Sequence, residues 1–172
     1  IAALAQANLM IVVPTVLQVM IAHPAWASAD LSVLRAFSIG STDVPVALIE
    51  AVHAQGKPVI QIYGATETSP FAIYQSIDEA FNTVGSIGRA GRSCEISLQD
   101  HDGNILGDHQ VGEICVRGQN ILREYWKDPE LTKKSIRDGW FHTGDMAQKD
   151  ENGLFWFTDR IKHIIISGGE NI

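Results

Sequence analysis

Four short stretches carry side chains able to act on a phosphorylated ligand. Tyr63-Gly64-Ala65-Thr66-Glu67-Thr68 follows an apolar run and sets a hydroxyl, Thr66, beside a carboxylate, Glu67. A hydroxyl suits a phosphate oxygen, and a hard carboxylate oxygen suits Mg2+. Gly64 would let the backbone approach a ligand closely. Read locally, the same residues are a polar strand-to-loop turn. Gly40-Ser41-Thr42-Asp43 could offer backbone groups to a nucleotide base, and is equally a helix cap. Gly139-Trp140-Phe141-His142-Thr143-Gly144-Asp145 ends in a carboxylate whose two oxygens match two vicinal ribose hydroxyls. It could equally be a turn aspartate after a buried tryptophan. Asp159-Arg160-Ile161-Lys162 offers a guanidinium to ribose or phosphate oxygens, or the solvated face of an edge strand. Beyond it, Gly168-Gly169 leaves a loop with no side chains to block a thin ligand.

The elements that must position these groups change character along the chain. Leu9–Val13 is a continuous apolar run, expected of a strand buried on both faces. Thr15–Ala22 can form a short helix closed before Pro24. Leu34–Ile39 reads as a second strand and Val59–Ile62 as a third. Between them Asp43 and Pro45 start a helix, Val46, Ile49 and Val52 make its apolar stripe, and Gly56 stops it. Strand, helix, strand, helix, strand at these lengths predicts right-handed parallel crossovers. In such sheets ligands bind beyond the carboxyl ends of the strands, after Ile39 and Ile62 here.

From about Phe81 short strands and turns dominate. Glu95–Leu98 leads into the turn Asp102-Gly103-Asn104, and Glu113–Arg117 alternates with Ile114 and Val116 on one face. Asn152-Gly153 signals a hairpin before Leu154–Phe157. One helix interrupts, with Asp128 as cap and Pro129 at its first position, running to about Ile136. The expected fold is α/β followed by mostly β. A partial parallel α/β layer over 1–80 precedes a small antiparallel, distorted β-barrel lobe over 81–158.

The chain has 172 residues with 13 Lys+Arg and 20 Asp+Glu, a formal charge of −7, and the acidic excess is spread over both halves. A dispersed acidic balance argues against nucleic acid as a partner, because phosphate neutralisation needs a basic face. Cys94 and Cys115 are the two cysteines. They cannot build a disulfide framework, and the simplest expectation is reduced thiols in the cytoplasm. The six histidines never fall at a metal-ligand spacing, so each reads as a packing or surface residue. No apolar run approaches the ~20 residues a bilayer needs. Both ends look cut from something longer: the start lacks Met, and the chain stops at Gly169-Glu170-Asn171-Ile172.

Taken together, and in this order, the motifs resemble the adenylate-forming enzymes, specifically the acyl-CoA synthetases. The matching stretches are Tyr63–Thr68, Val84-Gly85-Ser86-Ile87-Gly88-Arg89, Gly112-Glu113-Ile114-Cys115-Val116-Arg117-Gly118, Gly139–Asp145, and Asp159–Lys162 running into Ser167–Ile172. They span essentially the whole chain. The resemblance implies ATP, Mg2+ and CoA as cofactors and a carboxylic acid as substrate. A carboxylate attacks the α-phosphate to give acyl-AMP and pyrophosphate, and a thiol then takes the acyl group.

By that resemblance Gly40, Ser41 and Thr42 form the adenine-side loop. The family commonly has Gly-Gly-Ala-Pro there, so the contact is expected through backbone. Tyr63 stacks on adenine and Gly64 belongs to the same nucleotide-binding turn. Thr66 contacts the α-phosphate, Glu67 holds Mg2+, and these two form the catalytic pair. Asp145 binds ribose, Phe157 sits beside the nucleoside, and Arg160 holds ribose and phosphate. Lys162 is a hinge, and Gly168 and Gly169 line the pantetheine tunnel, so 159–172 is the hinge and start of a further domain. The phosphate loop expected upstream and the lysine-bearing domain expected downstream have no match, and the isolated piece is expected to turn over negligibly. Ser69–Ile73 resembles the medium- and long-chain fatty acyl enzymes, with Ala65, Phe71 and Ile73 as an apolar acyl lining. Aryl or alicyclic acids, and an amino-acid-activating domain serving a carrier protein, stay open. So do a non-catalytic nucleotide-binding module and a homo-oligomer.

Overall fold

A computed structural model of the chain describes residues 7–40, 44–160, 166–167 and 170–171. The chain forms two compact units. The first comprises Ile1–Ile62, Gln75–Gly85 and Ile165–Ile172, the second Tyr63–Tyr74 and Ser86–Ile164.

The first unit is the α/β layer. Strand β1 (Leu9–Val12) leads into helix α1 (Pro14–Ala22), then β2 (Ala36–Ile39), α2 (Val46–His53) and β3 (Val59–Tyr63). The three strands run parallel in chain order, with Val12 opposite Ile39 and Ile39 opposite Gln61. Pro14 at the first position of α1 needs no hydrogen-bond partner for its nitrogen, so it starts the helix rather than breaking it. Helix α2 closes where the Gly56 N–H bonds the His53 carbonyl. Its stripe buries Ile49 and Val52, whereas Val46, at the first turn, is exposed. Val12, Leu17, Phe37, Ile39, Ile49, Val52 and Val59 make one core. The segment Gln75–Gly85 returns to β3, where the buried Gln75 accepts the Gln61 N–H at 2.7 Å and donates to Thr83.

Strand β1 differs from expectation. It lies at the edge of the sheet, and Leu9 and Ile11 are 47% and 66% exposed. Burial therefore alternates along the strand, although every residue in it is apolar.

The second unit is antiparallel. Strand β4 (Ile73–Tyr74) pairs with β5 (Arg89–Ala90). Then come β6 (Cys94–Gln99), β7 (Val111–Gly118), helix α3 (Pro129–Ser135), β8 (Ile136–Arg137), β9 (Trp140–Lys149) and β10 (Phe155–Arg160). The sheet order is β10-β9-β7-β6, with β8 pairing to β9. Ile87 and Gly88 hydrogen-bond Phe155 along the free side of β10, which curls the sheet into a half-barrel. Helix α3 begins as expected: the Asp128 Oδ1 accepts the Leu131 N–H at 2.9 Å. The β9–β10 hairpin turns through Asn152-Gly153, held by Asp150 Oδ1 accepting from Asn152 and Leu154. Ile73, Ile87, Leu98, Ile114, Val116, Ala147 and Phe155 form the core. Strand β7 is buried on both faces at its centre, since Cys115 is as inaccessible as Ile114 and Val116. Separately, in the first unit, β11 (Ile166–Ser167) pairs antiparallel with β12 (Glu170–Asn171). Among the described residues no helix is long and apolar enough to cross a membrane.

Candidate functional site

Antiparallel pairing of β9 and β10 sets Arg160 directly across from Asp145. The Arg160 Nε lies 3.0 Å from the Asp145 Oδ1. The other oxygen, Oδ2, accepts a hydrogen bond from the Tyr63 hydroxyl at 2.8 Å. Tyr63 ends β3, and its ring packs half-buried against the core of the second unit. Each carboxylate oxygen of Asp145 has a second lone pair, so the pair of oxygens can still accept from two further hydroxyls. Burial pushes the Asp145 carboxyl above the ordinary carboxylate range. The Tyr63 hydroxyl and Arg160 pull it back, and Glu113 pushes it further up. Burial and the Asp145 charge hold the Tyr63 phenol well above its usual value.

Asp145 owes its aim to an irregularity in the ladder. On β7 and β9, Glu113 faces Met146 and Cys115 faces His142, so Ile114 alone opposes Thr143, Gly144 and Asp145. Gly144 takes φ of +77°, a conformation that a side chain resists. The two amides freed from the ladder find side-chain acceptors. Gly144 N–H donates to Glu113 Oε1 at 2.8 Å, and Asp145 N–H donates to Thr143 Oγ1 at 3.1 Å. The Thr143 hydroxyl in turn donates to the Ile114 carbonyl.

The turn after β3 is a single 3-10 turn, Thr66–Thr68. Its keystone is the buried Thr68, whose Oγ1 accepts the Ala65 N–H at 2.8 Å. Gly64 serves the turn itself: a Cβ there would collide with the Pro70 carbonyl. Thr66 is exposed and Glu67 half-buried. A second segment holds the turn from outside. Leu122 N–H donates to the Glu67 carbonyl and Asn120 Nδ2 to the Thr68 carbonyl, each at 2.9 Å. The Tyr125 hydroxyl donates to Glu67 Oε1 at 3.0 Å, leaving Oε2 for another partner. Burial and the Glu67 charge push the Tyr125 phenol up.

Tyr63, Thr66, Glu67, Asp145 and Arg160 all belong to the second unit. Hydrogen bonds join Tyr63, Asp145 and Arg160, while Glu67 is tied to Tyr125. Phe157 is half-buried and packs on the core of that unit. Ala65 is half-buried, and Phe71 is 47% exposed. Ile73 is fully buried in the core of the second unit. Gly40 is buried behind β2 in the first unit. Ser41, Thr42, Lys162, Gly168 and Gly169 lie outside the described residues.

Sequence reasoning passed over Glu113, Asn120 and Tyr125. Their partners lie 31, 52 and 58 positions away, beyond any local signal. It also missed a cluster on β7 and β9, where His142 Nδ1 lies 2.9 Å from Glu113 Oε2 and 3.3 Å from Cys115 Sγ. The Arg137 guanidinium lies 2.6 Å from the same nitrogen, where a metal ion would have to sit. The Cys115 thiol is pushed up to about 12 by burial and Glu113, so it stays protonated. Among the described residues, Glu113, Cys115, Arg137 and His142 thus form one close polar cluster.

A family profile described as AMP-binding enzyme matches residues 3–126. The chain is 47% identical over 165 residues to an indoleacetate–CoA ligase of Aromatoleum aromaticum, covering 96% of this chain and 32% of the relative. It is 35% identical over 160 residues to a long-chain-fatty-acid–CoA ligase of Mycobacterium tuberculosis, covering 93% and 32%. Among solved structures, the O-succinylbenzoate coenzyme A synthetase of Bacillus subtilis in complex with ATP and magnesium ion superposes with a TM-score of 0.81. Its identity is 31%, over 97% of this chain and 34% of that one. The chain thus spans about a third of the length of the relatives it matches. With a profile covering well over half of the chain, and the carboxylate, phenol and guanidinium gathered in one unit, this protein belongs to the AMP-binding enzyme family.

Proposed function

We propose that this chain is the nucleotide-binding portion of an ATP-dependent, AMP-forming acid–thiol ligase. The observation that carries the reading is the triad of Tyr63, Asp145 and Arg160, joined by bonds of 2.8 and 3.0 Å around one carboxylate. Asp145 accepts the ribose hydroxyls, Tyr63 offers its ring to adenine, Phe157 flanks the nucleoside, and Arg160 reaches ribose and α-phosphate. Thr66 donates its exposed hydroxyl to the α-phosphate. Gly64 keeps the turn close-packed behind it. Glu67 fits a divalent ion: it is a hard oxygen donor, half-buried, with one oxygen fixed by Tyr125 and the other free of that bond. Mg2+ held there would neutralise charge on the phosphates.

The substrate carboxylate has a pKa near ~4–5, so it attacks the α-phosphate already ionised and needs no general base. Positioning and charge neutralisation do the rest, giving acyl-AMP and pyrophosphate. The CoA thiol then displaces AMP from the acyl carbon. Lys162 as hinge, and Gly168 and Gly169 as tunnel lining, belong to that second step. Ala65 and Phe71 are proposed as acyl-pocket residues. Greater identity to the indoleacetate ligase than to the fatty acid ligase favours an aryl or other bulky apolar acid over a long acyl chain.

Calorimetry of AMP with this chain tests the site: binding is expected in the wild type and loss in Asp145→Ala. Equal affinities would refute the ribose role. Pyrophosphate release by the complete protein, assayed with indoleacetate, ferulate, palmitate and amino acids, then decides the acid. Turnover confined to amino acids would overturn the CoA-ligase reading.

A further inference from the structure

The backbone that aims Asp145 is held by a side chain of the neighbouring strand β7. The bulge Thr143–Asp145 interrupts the β7–β9 ladder, and the Gly144 N–H it frees is taken up by Glu113 Oε1 at 2.8 Å. The Glu113 side chain is itself fixed: Oε2 lies 2.9 Å from His142 Nδ1 and 3.7 Å from the Arg137 guanidinium. It is 14% exposed, and the Cys115 side chain beside it is buried. An unpaired amide in such a place is expensive, so the bulge keeps its shape only while an acceptor of the right length stands under Gly144. The next residue along is Asp145, whose oxygens each hold one partner, Tyr63 and Arg160, and keep a lone pair for another.

We propose that Glu113 is a positioning residue for the nucleoside site: by accepting the Gly144 N–H it fixes the bulge that aims Asp145 at the ribose hydroxyls. It touches no nucleotide and acts only through Asp145. The inference rests on the ribose role given to Asp145 above. Two side-chain lengths separate the roles of charge and reach. Glu113→Asp keeps the charge but falls a methylene short of Gly144, whereas Glu113→Gln loses the charge but keeps an oxygen in place.

The test is calorimetric titration of this chain with AMP and with 2′,3′-dideoxy-AMP, which lacks both hydroxyls. Glu113→Ala and Glu113→Asp are expected to weaken AMP at least about tenfold and to leave dideoxy-AMP within about twofold of wild type. Glu113→Gln recovers most of the AMP affinity. Should Glu113→Ala not fold, Glu113→Asp carries the test alone. Two results overturn the inference while leaving the site intact: AMP affinity unchanged in the Asp variant, or an equal loss for both nucleotides, which would mark a merely structural role. A wild-type chain that binds AMP no better than dideoxy-AMP overturns the ribose reading and this inference with it.

Discussion

Asp145 offers two acceptor oxygens and a charge only while ionised, yet burial raises the pKa of its carboxyl. Its folded pKa exceeds the unfolded one, so the folded chain takes up this proton first as the pH falls. The group's contribution to stability is therefore greatest below both values and is lost as pH rises through the folded one. Binding runs the other way. AMP affinity should fall on acidification before ordinary carboxylates titrate, and calorimetry between pH 7 and 4 follows it. Affinity that stays flat until ordinary carboxylates protonate would contradict the shift. Cys115 offers a second check at this scale. With its thiol pushed up to about 12, almost no thiolate exists at pH 8. Iodoacetamide should leave Cys115 unmodified in the folded chain and label it in urea, as read by peptide mass spectrometry.

The elements that carry the site are held by a few close approaches. Gly64 packs its Cα against the Pro70 carbonyl, so Gly64→Ala must push the 64–70 loop apart and should lower stability by at least about 1 kcal/mol in urea melts. A loss confined to AMP affinity, with stability intact, would mean that Gly64 faces the ligand rather than the loop. In the curled sheet, Ile114 sits fully buried opposite the bulge. Ile114→Ala should cost about 2–5 kcal/mol, the range for emptying a packed core position. Asp128→Ala removes one cap bond on an exposed helix and should cost only about 1 kcal/mol. The ordering of these two losses is the checkable point, because burial rather than hydrogen bonding sets it.

Across the whole molecule, two units each bury their own apolar cluster. The net charge of −7 does not forbid an anionic ligand, because local donors rather than the total charge set the potential at any one site. A ligand that binds only the folded chain stabilises it by mass action, by about 2.7 kcal/mol at a hundredfold excess over Kd. AMP at that concentration should raise the melting temperature of the wild type and leave that of Asp145→Ala unmoved, measured by scanning calorimetry.

Much of this was legible along the chain. Gly56, Asp128 and Asn152-Gly153 act on neighbours within a few residues, so their helix stop, helix start and turn read directly from residue type. The motif residues at Tyr63, Asp145 and Arg160 were likewise visible as chemistry in waiting. What residue type alone could not reveal depends on partners far away in sequence. An all-apolar β1 looks the same at a sheet edge as at its centre, and only the neighbours decide that Ile11 faces outward. Ile73 has the composition of a pocket wall but packs into the core. The two residues extra on β9 become a bulge only against a specific register of β7. Glu113 and Tyr125 acquire their tasks because the fold brings Gly144 and Glu67 to them. Local conformational preference and chemical type were set by the residues themselves. Which hydrogen bond each group makes, and where each carboxylate points, was set by the tertiary structure, since a buried polar atom must bond whatever the folded chain carries to it.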